Sequence, residues 1–283
     1  MVNRVLLQGG LGNQLFQVAA GIYLREKLKQ DIVFDSTLLT KVPKGVRLRD
    51  VEVDWLLNSN ELSKGSIRTL GLVALERYFP KIILKEKDLN HEILTEVKGD
   101  FRILNGYFQN SNYADFSWSF LKDKILSKLD SSFPRELLGQ DYVALHFRGG
   151  DYLNDKHTRD SHGVTGFNYF KSALGFIRSQ TNLDTLLIVT DTPSHIDKNI
   201  EEFKDFEIKI ISSENLYVDL SIISKAKSVV MSNSSFSWWG AFIADKTLSA
   251  QIVAPKPWFN GKIAEPKELI PKHWTVLERD IFQ

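Results

Sequence analysis

The 283-residue chain has no cysteine, which excludes disulfides, thiolate metal sites and a cysteine nucleophile. It has almost no net charge, with 36 Lys and Arg against 35 Asp and Glu. It therefore lacks the basic field of nucleic-acid binders, and nucleic acid is set aside as a partner. No apolar run approaches the roughly 20 residues that span a bilayer. The opening Met1-Val2-Asn3-Arg4 leads into only three apolar residues, Val5-Leu6-Leu7, too few for a secretory signal core. These absences predict a cytoplasmic protein without a transmembrane segment, and they leave peripheral association at the inner face of the membrane open. Internal repeats and low-complexity tracts are missing too. So are HExxH, a Walker GxxxxGKS/T loop and any DxD pair of carboxylates. The last absence argues against a nucleotide sugar held through a divalent metal.

What remains is 43% hydrophobic, enough for a substantial core, and at roughly 150 residues per domain the length suggests two domains. In the second half, apolar runs at 142–147, 186–190, 208–211, 228–231 and 251–254 read as five strands. Helical stretches near 167–178, from 193, at 218–226 and at 235–244 separate them. Strands alternating with helices imply crossovers and a parallel sheet covered on both faces. Ligands of such sheets sit beyond the C-terminal strand ends. The first half opens with its own strand, turn and helix over 4–29, a second strand at 32–35, a charged and less regular middle from 40 to 98, a strand-to-turn unit at 101–108, and a helix around 113–129. Ser131-Ser132-Phe133-Pro134 reads as a linker and places the boundary near residue 138, giving domains 1–138 and 139–283. Two α/β domains facing each other across a cleft are the expected architecture.

Polar motifs fall at strand ends. GGLGNQLFQ (9–17) follows the first strand, and its glycines at a helix start could present bare N–H groups to a phosphate. HFRGGDY (146–152) ends the first strand of the second domain: Arg148 offers a fork of donors to phosphate oxygens, glycines permit close approach, and Asp151 could orient the guanidinium or accept a proton. A tight turn with a local Arg–Asp pair, and a satisfied core histidine at His146, account for the same residues. SNSSFSWWG (232–240) reads as a helix start with Ser234 or Asn233 as N-cap. There Phe236 could stack on a base, while Trp238 and Trp239 pack as core. Asp219, in the first turn of the preceding helix, could accept both donors of a guanine edge or simply complement the helix dipole. NGYFQNSNY (105–113) has amides and aromatics suited to sugars, and a polar loop would look the same.

In order and spacing, GGLGNQLFQ, NGYFQNSNY, HFRGGDY, SNSSFSWWGAFI and VAPKPWF together resemble the bacterial α-1,2-fucosyltransferases of glycosyltransferase family 11, over nearly the whole chain. The resemblance implies a GT-B-like pair of Rossmann-type domains, GDP-fucose as donor, inversion at the anomeric carbon, and no metal or other cofactor. It implies transfer of L-fucose to the 2-hydroxyl of a terminal β-galactose on an oligosaccharide acceptor, in O-antigen synthesis. Carried over, Arg148 matches the diphosphate-binding arginine, with His146 and Asp151 flanking it. Ser234, Ser235 and Phe236 match the phosphate- and guanine-binding stretch, and Asp219 the guanine-reading acid. Gly10, Gly12 and Asn13 match the N-terminal loop that meets the donor from the other domain. The family motif often carries a second arginine where this chain has Gly149. The catalytic base is open among His146, Asp151 and acids of the first domain. An α-1,6 or other-linkage fucosyltransferase and a non-catalytic nucleotide- or glycan-binding module are the alternatives.

Overall fold

The computed structural model describes residues 2–40, 49–79, 82–86, 102–150, 153, 155–261, 263 and 265–282. They form two compact units, Met1–Ile125 with Lys267–Leu269, and Leu126–Pro266 with Ile270–Gln283. Each unit is a parallel α/β layer structure, so the chain has the expected GT-B-like class of two Rossmann-type units.

The first unit runs β1 (Asn3–Leu6), α1 (Leu11–Leu28), β2 (Ile32–Asp35), α2 (Thr37–Thr40), β3 (Leu62–Ser63), α3 (Ile67–Ala74), β4 (Ile83–Lys85), β5 (Ile103–Asn105) and most of α4 (Ser111–Ser132). Its sheet has the order β3-β2-β1-β5-β4, all parallel. The chain moves outward from β1 on one side and inward to β5 on the other, so β1 and β5 meet at a topological switch point. Short β3 and β4 lie in the stretch that read as irregular. Buried Asp35, at the end of β2, is satisfied by the Arg4 guanidinium at 2.8 Å, the Thr37 backbone N–H at 2.9 Å and the Thr69 hydroxyl at 3.1 Å.

The second unit continues with β6 (Val143–Phe147), α5 (Lys156–His162), β7 (Val164–Thr165), α6 (Phe167–Gln180), β8 (Thr185–Thr190), α7 (Pro193–Asp197), β9 (Glu207–Ile211), α8 (Leu216–Ser224), β10 (Ser228–Val230), α9 (Ser235–Leu248), β11 (Gln251–Lys256), β12 (Thr275–Glu278) and β13 (Ile281–Phe282). The order β12-β11-β10-β6-β8-β9 is parallel throughout, and β13 pairs antiparallel with β7. The series that the sequence closes at β11 thus has one strand more, β12. The switch point lies between β6 and β10, where Val230 stands beside Leu145. Trp238 and Trp239 are fully buried, as core positions, and a side chain at Gly240 would run into Ile223, so α9 lies tight against α8.

The division between units falls inside α4 and not near residue 138. The hydroxyls of Ser131 and Ser132 donate to the Lys128 carbonyl at 2.8 and 2.9 Å, which makes them the last helical turn and not a linker. That turn packs on the second unit: the Lys128 ammonium lies 4.3 Å from the Tyr217 ring centre, and Lys225 donates to Asp130 at 2.5 Å.

Candidate active site

In the second unit the polar motifs gather at the switch point. Arg148 follows β6, and its guanidinium donates to Asp191 at 2.6 Å. Asp191 stands just beyond β8, and its other oxygen accepts the backbone N–H groups of Gly149 and Gly150 at 3.0 and 3.1 Å. The two glycines therefore admit an internal carboxylate. A Cβ on Gly150 would fall on the Asp191 carboxylate, with its Cγ at 3.2 Å. One on Gly149 would meet the Thr192 hydroxyl, with Thr192 Cγ2 and Leu153 Cδ1 both at 2.9 Å. A side chain at position 149, such as a second arginine, would need the space that Thr192 fills. Asp151 lies outside the described residues.

His146, the penultimate residue of β6, is 5% exposed. Its Nδ1 faces the Ser232 hydroxyl at 3.2 Å, and its ring lies 5.4 Å from that of Phe236. Burial lowers its pKa to about 4; Asp191 opposes the shift and Arg148 adds to it. Near neutral pH the imidazole is therefore uncharged and enclosed, placed to fix Ser232 and Phe236.

Ser234 is the N-cap of α9 and is buried, yet its side chain makes no capping bond. Ordinary capping therefore does not explain it. The turn is held instead by Asn233, which accepts from the Thr165 hydroxyl at 2.9 Å and donates to the carbonyls of His162 and Trp258, each at 3.0 Å. Arg279 braces the same segments through the carbonyls of Pro257 at 2.6 Å and Gly163 at 3.2 Å. The N–H groups of the first turn, with the half-buried Ser235 and Phe236, form a rigid electropositive helix start suited to an anion.

Asp219 sits in the first turn of α8, which packs across β6 and β8. Its Oδ1 is buried without a hydrogen-bond partner. Desolvation pushes its pKa up to about 7; the Ser213 backbone N–H partly offsets this, and the negative charge of Asp191 adds to it. A buried carboxylate oxygen with no partner is costly, and a ligand donor placed there would relieve that cost. Among the described residues, no group of three or more His, Asp or Glu side chains is placed to hold a metal ion.

The first unit has its own polar cluster at the β1–β5 switch point. Gly9 takes φ +75, and Gly10 is the N-cap of α1 with no side-chain capping bond. Gly12 is buried, and Asn13 accepts from Gln109 at 2.9 Å. The NGYFQNSNY stretch is thus joined to the glycine turn. Fully buried Gln14 and Gln17 serve the scaffold. Gln14 donates to the carbonyls of Gly9 and Asp50, and Gln17 to that of Gly106 at 2.9 Å while accepting from the Gln8 N–H at 3.0 Å. Asp191 is the residue that sequence reasoning missed. Its one signal is an acid directly after an apolar strand, in Thr190-Asp191-Thr192-Pro193.

The model of glycosyl transferase family 11 matches residues 98–278, well over half of the chain. The chain belongs to glycosyltransferase family 11. Members and relatives bear this out at low identity. An alpha-1,2-colitosyltransferase of Escherichia coli is 27% identical over 96% of this chain and 98% of its own length. The O-antigen biosynthesis glycosyltransferase WbnK of Escherichia coli is 26% identical, over 90% and 94%. A galactoside 2-alpha-L-fucosyltransferase of Caenorhabditis elegans is 24% identical, over 85% of this chain and 68% of its own. Among solved structures, fucosyltransferase NodZ from Bradyrhizobium has a similar fold, with a TM-score of 0.50 at 12% identity over 86% of this chain and 92% of that one. This family-11 glycosyltransferase has no helix among its described residues long and apolar enough to cross a membrane.

Proposed function

We propose that this glycosyltransferase transfers L-fucose from GDP-β-L-fucose to the 2-hydroxyl of a terminal β-galactose, with inversion and without a metal, during O-antigen assembly. The observation that carries the reading is the set of three complementary groups at one switch point: the Arg148 guanidinium, the uncapped start of α9, and the unpartnered carboxylate oxygen of Asp219. A guanine edge presents two adjacent donors to Asp219, and a diphosphate carries negative charge toward Arg148 and the α9 N–H groups. In a direct displacement the leaving diphosphate gains charge in the transition state, which a guanidinium already aligned by Asp191 stabilises without reorganising. His146, being enclosed and neutral, serves this chemistry by positioning Ser232 and Phe236. Gly10, Gly12 and Asn13 of the first unit are assigned to contacts with the donor sugar. Acids of the first unit, with Asp151, remain eligible as the base that deprotonates the acceptor hydroxyl.

A second donor, GDP-colitose, is favoured by the colitosyltransferase relative. The two sugars differ by one ring hydroxyl, so a site built to bond that hydroxyl would reject the deoxy sugar strongly. The deciding experiment offers GDP-fucose and GDP-colitose in parallel to β-galactoside-terminated oligosaccharides and determines the product linkage. An α-1,2-fucosyl product with a preference for GDP-fucose is expected. A preference for GDP-colitose, or an α-1,6 linkage, overturns the corresponding part of the proposal. Neither hydrolysis nor transfer of any donor would leave a binding module as the answer. Activity is expected to survive excess EDTA, and loss restored by Mn²⁺ would refute the metal-free mechanism.

A further inference from the structure

Helix α3 is built inside out. Its polar Thr69 is buried and bonded to Asp35, and Leu72 and Val73 pack against Leu6, Ile83 and Ile103 in the core. On the other side, Ile67 is 76% exposed, Leu75 48% and Tyr78 62%. Ile67, Gly71 and Ala74, spaced by four and three residues, share one exposed face of α3, and the exposed Leu75 and Tyr78 follow in its C-cap and the 3-10 turn after it. A surface helix ordinarily turns its polar residues outward, and one that is apolar on both sides has a second apolar environment to meet.

Among the described residues 64–79, every exposed charged side chain is basic. Lys64, Arg68 and Arg77 are exposed, with the Arg77 guanidinium 4.7 Å from the centre of the Tyr78 ring. The acid of the stretch, Glu76, is half-buried and paired with Lys85. A second copy of the chain meeting this face by a twofold axis would set these cations against themselves. An anionic lipid surface instead supplies negative headgroups to the rim and an apolar layer to Ile67 and Leu75, with Tyr78 at headgroup depth.

We propose that α3 and the turn after it dock this protein on anionic phospholipid, with Ile67, Leu75 and Tyr78 inserted and Arg68 and Arg77 on the headgroups. The test sediments the full chain with vesicles of phosphatidylcholine alone, or of equal parts phosphatidylglycerol and phosphatidylcholine. Binding to the anionic vesicles, weakened by salt, is expected. Ile67→Ser with Leu75→Ser, and separately Arg68→Glu with Arg77→Glu, should each reduce it by roughly tenfold or more. All four side chains are exposed, so thermal melting and transfer to a soluble acceptor should stay at the wild-type level. No binding by the wild type, or binding that the variants leave unchanged, overturns the proposal. A concentration-dependent dimer abolished by Ile67→Ser with Leu75→Ser would replace it with self-association.

Discussion

Two strand-end turns in this chain carry adjacent glycines, and they use them differently. In the first unit Gly9 is required by its backbone: φ is +75, and a Cβ there would lie 2.5 Å from the Asn13 amide nitrogen. In the second unit Gly149 and Gly150 keep negative φ and are required by their neighbours, because Thr192 and Asp191 occupy the space above them. The first pair bends the chain from β1 into a helix whose start carries no side-chain cap. The second opens the backbone to a carboxylate of the same chain, which in turn aligns Arg148. A glycine doublet after a central strand is therefore one sequence signal for two devices, a bend and a socket.

The contrast breaks most severely at the arginine that the socket serves. Arg148→Ala should lower kcat/KM for transfer by about 10²–10³-fold with the melting temperature nearly unchanged. Turnover near the wild-type level would remove the arginine from the mechanism. Next is the socket itself. Gly149→Ala should destabilise by about 2–3 kcal/mol in urea unfolding, as an overpacked position. Adding Thr192→Ala should restore most of that loss, since Thr192 contributes two of the three nearest atoms. Asp219→Asn should raise the dissociation constant for GDP by roughly tenfold while leaving folding intact, measured by calorimetry. The carboxylate form is the one that accepts from a guanine edge, so affinity should rise as pH passes through about 7, and this dependence should vanish in the variant. The sign for stability is opposite. A carboxyl whose pKa is raised to about 7 keeps its proton in the folded chain longer than in the unfolded one. Its contribution to stability therefore declines as pH rises from the usual carboxylate range toward 7. The smallest effect belongs to the bend: Gly9→Ala should cost about 1 kcal/mol through left-handed strain.

The strands of the second sheet were legible because apolar runs between breakers have few other readings in a chain of this composition. The exception, β12, is Thr275-Val276-Leu277-Glu278 at the sheet edge, where half the residues are exposed and the apolar run is short. Short β3 and β4, also at sheet edges, escaped because two and three residues offer no alternation to read. Ser131 and Ser132 resembled a linker because serine favours helix ends, and here they do end a helix, though the division between the units comes a full turn or more before them. The positions of Arg148 after a strand, and of Ser234 and Asp219 at helix starts, were legible in the sequence. Asp191 was not, because its importance lies in facing a guanidinium 43 positions away in sequence. The meaning of Gly149 was equally hidden, since it depends on which side chain fills the space beside it.

The brace around Asn233 has a consequence in time. The carbonyls of His162, Gly163 and Trp258 that steady the turn before α9 are held from the other side by Arg279. A growing chain thus presents α9 well before its anchor exists, and the start of this helix reaches its final stiffness only after synthesis has passed residue 279. Termination between β12 and Arg279 should leave every strand of the second sheet in place and still remove the brace on the turn before α9.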